Sequence, residues 1–97
     1  MSMFDDIKIV LRVSTDALDP EVRMLINAAR ADMVRVGIDE DRVEDESDPL
    51  VKQAVACWCK GHFGFDNPDA EFYDRSYRQC VADMLNSSDY NTAAFDD

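Results

Sequence analysis

Glycine is scarce in this chain: 3 of 97 residues, alongside 3 prolines, 3 cysteines and a single histidine. Three glycines cannot build a loop that cradles phosphate with backbone N–H groups, so nucleotide-binding motifs of that kind are excluded. One histidine leaves nucleophile–base pairs with a single candidate base of the usual type, His62. An odd number of cysteines cannot all pair within the chain. A core of this size needs no bridges, so reduced thiols are expected. Basic residues are outnumbered, 10 Lys and Arg against 21 Asp and Glu, for a net charge of −11. A surface so negative repels phosphate backbones and anionic lipid, which argues against ordinary DNA, RNA or membrane binding. The longest apolar run, Ala54 to Cys59, is far too short to cross a bilayer. The opening Met1-Ser2-Met3-Phe4-Asp5-Asp6 has no basic region or long apolar stretch, so no signal peptide is expected.

What remains is a hydrophobic content of 46% with 32% charged residues, the balance of one folded globular domain. The prolines share one context: Asp19-Pro20, Asp48-Pro49 and Asn67-Pro68. Asp and Asn accept hydrogen bonds from the free N–H groups of a first helical turn, and proline one position on loses nothing there. Each pair precedes helical periodicity. After Pro20, the residues Val22, Leu25, Ile26, Ala29, Met33 and Val36 fall within one stripe about 100° wide, and Gly37 offers a stop. After Pro49, Leu50, Val51, Ala54, Val55, Cys57, Trp58 and His62 cover a wider arc, as expected of the most buried helix, with Gly61 and Gly64 marking its end. After Pro68, Ala70, Tyr73, Tyr77, Cys80, Val81 and Met84 form a third stripe, with Glu71/Arg75 and Asp74/Arg78 spaced for i,i+4 pairing. The opening Phe4, Ile7, Val10 and Leu11 trace a short helix. Residues 7–13 also alternate like a strand, but no partner strand exists to pair with it. The spacing therefore predicts an all-α fold: a compact bundle of about four helices over residues 1–86. An irregular acidic loop, 38–47, lies between the second and third helices, and residues 87–97 form a flexible tail.

The chemistry-bearing residues do not assemble into a catalytic or metal motif. His62 reads as a partly buried structural residue. Cys57 and Cys59, two apart on a helix, point to nearly opposite sides, and Cys59 with His62 supplies only two ligands. Cys57 and Cys80 read as small apolar core residues. Asp39, Asp41 and Val43 break the alternating pattern of a calcium loop. No cofactor, metal or catalytic residue is assigned. The expectation is a binding protein, with three sets of candidate contacts. Met24, Ala28 and Ala31 lie opposite the core stripe of the second helix, where small residues let a neighbour approach. Phe72, Tyr90 and Phe95 are aromatic anchors of the last helix and tail. The acidic loop supplies Asp39, Glu40, Asp41, Glu44, Asp45 and Glu46. The charge alone also admits an acidic DNA mimic that inhibits a nucleic-acid enzyme. Such a mimic needs carboxylates at phosphate-like spacing over one face, whereas these concentrate in one loop and at helix starts.

Read together, DDIKIVLRV, LDPEVRMLINAARADMVRVG, SDPLVKQAVACWCKGHFG and FYDRSYRQCVADML resemble the small head–tail connector, or adaptor, proteins of tailed bacteriophages and prophages. The resemblance rests on Lys8 before Leu11 in a short first helix and on Ala28-Ala29-Arg30 in a longer second one. It continues with Pro49-Leu50-Val51-Lys52-Gln53-Ala54 opening a third helix, His62-Phe63 at its end, and Met84-Leu85 closing the last. It covers about residues 4 to 86, and the order of the motifs is more specific than any one of them. This chain departs from the family where Phe63-Gly64-Phe65 replaces the frequent Trp-Tyr after the histidine. The resemblance implies a non-enzymatic virion subunit made in the host bacterial cytoplasm. It would form a homo-oligomeric, twelvefold ring beneath the portal protein, with a tail-completion protein attached below. DNA would pass through the ring without specific binding.

Overall fold

The computed structural model describes residues 2–64 and 67–91. Their elements are five helices: α1 (Met3–Leu11), α2 (Asp19–Val36), α3 (Glu40–Val43), α4 (Pro49–His62) and α5 (Ala70–Leu85). The fold is all-α, and the opening segment is a helix. Ser2 caps α1 by accepting from Asp5 N–H, and Met3 and Ile7 are wholly buried. Its C-cap is Arg12, a non-glycine residue in the left-handed region at φ +59°. The second helix buries the anticipated stripe of Val22, Ile26, Ala29 and Met33, and ends at Gly37 with φ +116°, where a side chain would be strained.

Helix α4 is the hub. It packs on α1, α2 and α5, and Val51, Ala54, Val55 and Cys59 have no exposed surface. Apolar burial at about 25 cal/mol per Å² is the main favourable term, so the helix with neighbours on most sides contributes most. Its exposed arc differs from the expected one in three places. Cys59, and not Cys57, belongs to the fully buried set, while Leu50 and His62 are exposed. Burial pushes the Cys59 thiol up to about 12, which keeps it a neutral apolar group. Cys57 and Cys80 are half-buried, and burial leads in raising both thiols. Gly61 lies inside α4 and is no terminator. A Cβ there would sit 3.3 Å from Tyr73 Cβ and 3.5 Å from Ala70 O, so the bare glycine lets α5 begin close against α4.

Of the three Asx-Pro pairs only one caps a helix as anticipated. Asp48 accepts from Leu50 N–H and Val51 N–H at 3.0 and 3.1 Å. Asp19 is instead the first residue of α2, whose N-cap is Leu18, and its carboxylate pairs with Lys8 of α1 at 2.8 Å. Asn67 lies outside α5, whose N-cap is Asp69. Its side chain accepts from Asp69 N–H and donates to Lys60 O, tying the α4–α5 connection to the end of α4. Of the two i,i+4 pairs anticipated on α5, Asp74–Arg78 forms at 3.0 Å.

The segment between α2 and α4 is also less irregular than expected. Ile38 and Val43 are buried in the core, and Glu40–Val43 make one helical turn. Beyond α5 the chain turns back through 87–91. Asn91 pairs with Ile38, Asp39 N–H donates to Tyr90 O at 2.7 Å, and the Tyr90 hydroxyl donates to Asp48 at 3.0 Å. Order therefore continues to Asn91, past the boundary at 86, and the rest of the anticipated tail lies outside the described residues.

The three Asx positions make separate predictions. Asp48→Ala should lower unfolding stability by about 1–2 kcal/mol for the cap alone, and more because Tyr90 loses its acceptor. Asp19→Ala should cost less, since it removes one ion pair at a partly exposed site and no helix cap. Urea unfolding of both variants checks the order, and equal losses would contradict it.

Candidate functional site

The anticipated contact residues fall on different parts of the molecule. On α2, Met24 is 63% exposed, and Ala28 and Ala31 lie on the same outward side with Val34. This strip runs between Arg23 and Arg35 and carries no acidic residue from Arg23 to Ala31, which is unusual in a chain of net charge −11. The Arg23 guanidinium lies 3.9 Å from the centroid of the Phe4 ring, so α1 fixes one edge of the strip by a cation–π contact. Phe72 is 56% exposed in the first turn of α5, well away from that strip along the chain. Tyr90 is not a free anchor. Its ring lies beneath Arg42 and its hydroxyl is bound to Asp48, so it holds the subunit together. Phe95 lies outside the described residues.

The acidic residues divide into two kinds. Glu40, Asp41 and Glu44 are exposed on α3 and its end, and Asp39 precedes them half-buried. Asp45 and Glu46 are structural. Asp45 accepts from both the backbone and the hydroxyl of Ser47, and the Ser47 hydroxyl bond leads in holding its carboxyl below the usual range. Glu46 reaches across to the start of α1. It accepts from Met3 N–H at 3.0 Å and from Arg30 of α2, and these two bonds, the backbone one first, hold its carboxyl below the ordinary 4.5. One side chain of the acidic segment thus joins α1 to α2. Residue spacing could not reveal this, because the bond to Met3 spans 43 positions.

A groove opens where α2, α4 and α5 meet. Its floor includes Val36, Trp58 and Val81, and it encloses about 520 Å³. Trp58 stacks on His62 with centroids 4.4 Å apart and meets Tyr77 edge-on at 5.0 Å. His62 Nδ1–H donates to Trp58 O, so the histidine is an exposed lid on the indole and not the partly buried residue anticipated. Tyr77 donates to Asp32 at 2.8 Å. Burial pushes the Asp32 carboxyl up, but hydrogen bonds from Arg35 and Tyr77 outweigh it and leave the group below its ordinary range. The same burial and bond raise Tyr77. This is a fixed polar brace between α2 and α5. Among the described residues no group of three or more His, Cys, Asp or Glu side chains could hold a metal ion, and no helix is long and apolar enough to cross a membrane. The described surface thus carries an acid-free strip, an acidic edge, an exposed aromatic residue and a groove on one helical body.

A family model described as phage connector protein matches residues 3–91, from the first residue of α1 to the turn that binds Ile38. The chain belongs to that family, a family of structural proteins of the bacteriophage head–tail connection, whose place is the virion. No curated protein and no solved structure matches the chain.

The Glu46 bonds predict an acid-sensitive docking of α1. A carboxylate whose folded value is depressed stabilises fully above its unfolded value near 4.5, and that contribution fades as pH falls through the lower folded value. Protection of the α1 amides, taken relative to the intrinsic exchange rate at each pH, should therefore fall between about pH 5 and 3 in the native chain. Glu46→Gln should make their exchange faster at pH 7 and remove most of this pH dependence. Unchanged exchange at pH 7 in the variant would contradict the assignment.

Proposed function

We propose that the chain is one subunit of a closed, twelvefold ring beneath the portal vertex, with a tail-completion protein bound below and DNA passing through the centre. The observation that carries this reading is the family match across the whole described fold, since it covers every helix and the closing turn together. Connector subunits act by joining other head and tail proteins, and the surfaces above supply different patches for different neighbours. A ring needs two unlike mating faces on each copy, because heterologous contacts close into rings while self-complementary ones stop at dimers.

The acidity has a mechanical use in this setting. Glu40, Asp41 and Glu44 project from α3 and its end with Asp39 before them. Turned to the channel, such carboxylates repel passing phosphates and keep DNA from adhering during packaging and ejection. The residues past Asn91, with Phe95, are assigned to contact the portal or the next ring. Synthesis takes place in the host bacterial cytoplasm before incorporation.

The channel role is tested by the combined variant Asp39→Asn, Glu40→Gln, Asp41→Asn, Glu44→Gln. Asp45 and Glu46 are left intact because they hold local structure. The variant should fold and join particles normally but slow DNA ejection, with the defect relieved as salt rises and screens residual attraction. Particles that eject DNA at the native rate would remove this role from the acidic edge. Electron microscopy of wild-type head–tail junctions tests the ring itself.

A further inference from the structure

The α2–α4–α5 groove holds an unmet donor. Trp58 Nε1–H is buried yet finds no acceptor among the described residues. Folded proteins leave few such groups unpaired, and an indole N–H can only donate. Arg35 and Arg78 stand at the rim with side chains 71% and 77% exposed, while their partners Asp32 and Asp74 lie deeper at 23% and 42%. The outermost charge around the groove is positive. What fits is an apolar side chain accompanied by a carboxylate.

The chain carries such a group on its other side. Phe72 projects from α5 between exposed Asp69 and Glu71 on one side and Arg75 a turn beyond. At about 100° per residue, Phe72 points roughly 150° around α5 from the side formed by Tyr77, Arg78, Val81 and Leu85, which line the groove. Knob and hole therefore occupy different faces and cannot meet within one copy. The other apolar residues more than half exposed, Ile9 and Met24, adjoin Lys8 and Arg23 and would bring a like charge to the arginine rim.

We infer that Phe72 of one copy inserts into the α2–α4–α5 groove of the next, with Glu71 set against Arg35 and Arg78. This rests on the ring reading and deepens it by naming the contact that propagates the ring. A knob and a hole on separate faces make a head-to-tail contact that repeats from copy to copy. A buried aromatic anchor with an acidic neighbour is the kind of residue that dominates an interface.

The test uses two variants that spoil opposite halves of the contact: Phe72→Asp removes the knob, and Ala82→Trp fills the hole. Both positions are exposed, so native helical circular dichroism is expected. Incorporation of each variant into rings at particle junctions should fall more than about tenfold, the loss typical of a central anchor. Mixed together, they should form one-to-one dimers and no rings, because only one good knob and one good hole remain per pair. Rings of native yield from Phe72→Asp would overturn the contact while leaving the ring reading standing. Absence of rings from wild-type junctions would take down the ring reading and this inference with it. A photoreactive phenylalanine analogue at position 72 gives a second measurement independent of variant folding. It should crosslink to residues 32–36 or 77–85 of another copy, and a crosslink elsewhere would overturn the proposal.

Discussion

One buried carboxylate organises this small fold. Asp48 is 5% exposed and the sole buried charged residue of the described core. A carboxylate in that position is costly unless its oxygens are met by donors. Here they accept from two N–H groups of the first turn of α4 and from the Tyr90 hydroxyl. The positive end of the α4 dipole favours the same charge. The consequence is long-range: satisfying Asp48 draws the turn at 87–91 back onto the start of α4, 42 positions away. The pairing of Asn91 with Ile38 then fixes the segment after α2. The turn at 87–91, which would otherwise fray, becomes part of the body.

A second tier of polar ties holds the helices in register around α4. Lys52 of α4 meets Asp6 of α1 at 2.6 Å, Lys8 of α1 meets Asp19 of α2, and Tyr77 of α5 meets Asp32 of α2. Each alone is a modest contribution at a partly exposed site. Their value is positional, since each pair joins different helices and the apolar core beneath is non-directional. The result suits a subunit that must present several surfaces at fixed relative angles. The strip on α2, the acidic edge of α3 and the knob of α5 stand on helices braced to a common hub, so contacts on different sides keep their geometry when a neighbour binds.

Much of this was legible in residue spacing. The core stripes of α2 and α5 and the helical nature of α1 follow from periodicity, which reports directly on which side a residue faces. The cap at Asp48 follows from local chemistry. The failures at Asp19 and Asn67 share a cause: the same short polar side chain can cap its own helix or bond a distant group. In Asp19 the nearby Lys8 ammonium won, and in Asn67 the Lys60 carbonyl won. Cys59 was misplaced because α4 is apolar around most of its circumference, and periodicity then loses its power to orient. His62 and Trp58 are adjacent turns of one helix, but their stacking depends on where α4 ends relative to α5. The candidate contacts divide in the same way. Exposure of Met24, Ala28, Ala31 and Phe72 was readable from their offset from the core stripe, whereas the structural roles of Glu46 and Tyr90 depend on partners more than 40 positions away.

Closed by the Asp48–Tyr90 contact, the described residues within 3–91, the span of the phage connector match, should open as one cooperative body. Native-state hydrogen exchange tests that claim most directly. The amides of Tyr90, Asn91 and Asp39, which donate to Ser87 O, Ser87 O and Tyr90 O respectively, are the reporters. They should be strongly protected and open with a free energy close to that of Val55 and Cys59 at the centre of α4. Exchange of these three amides at the rate of an unstructured peptide, with α4 still protected, would contradict it.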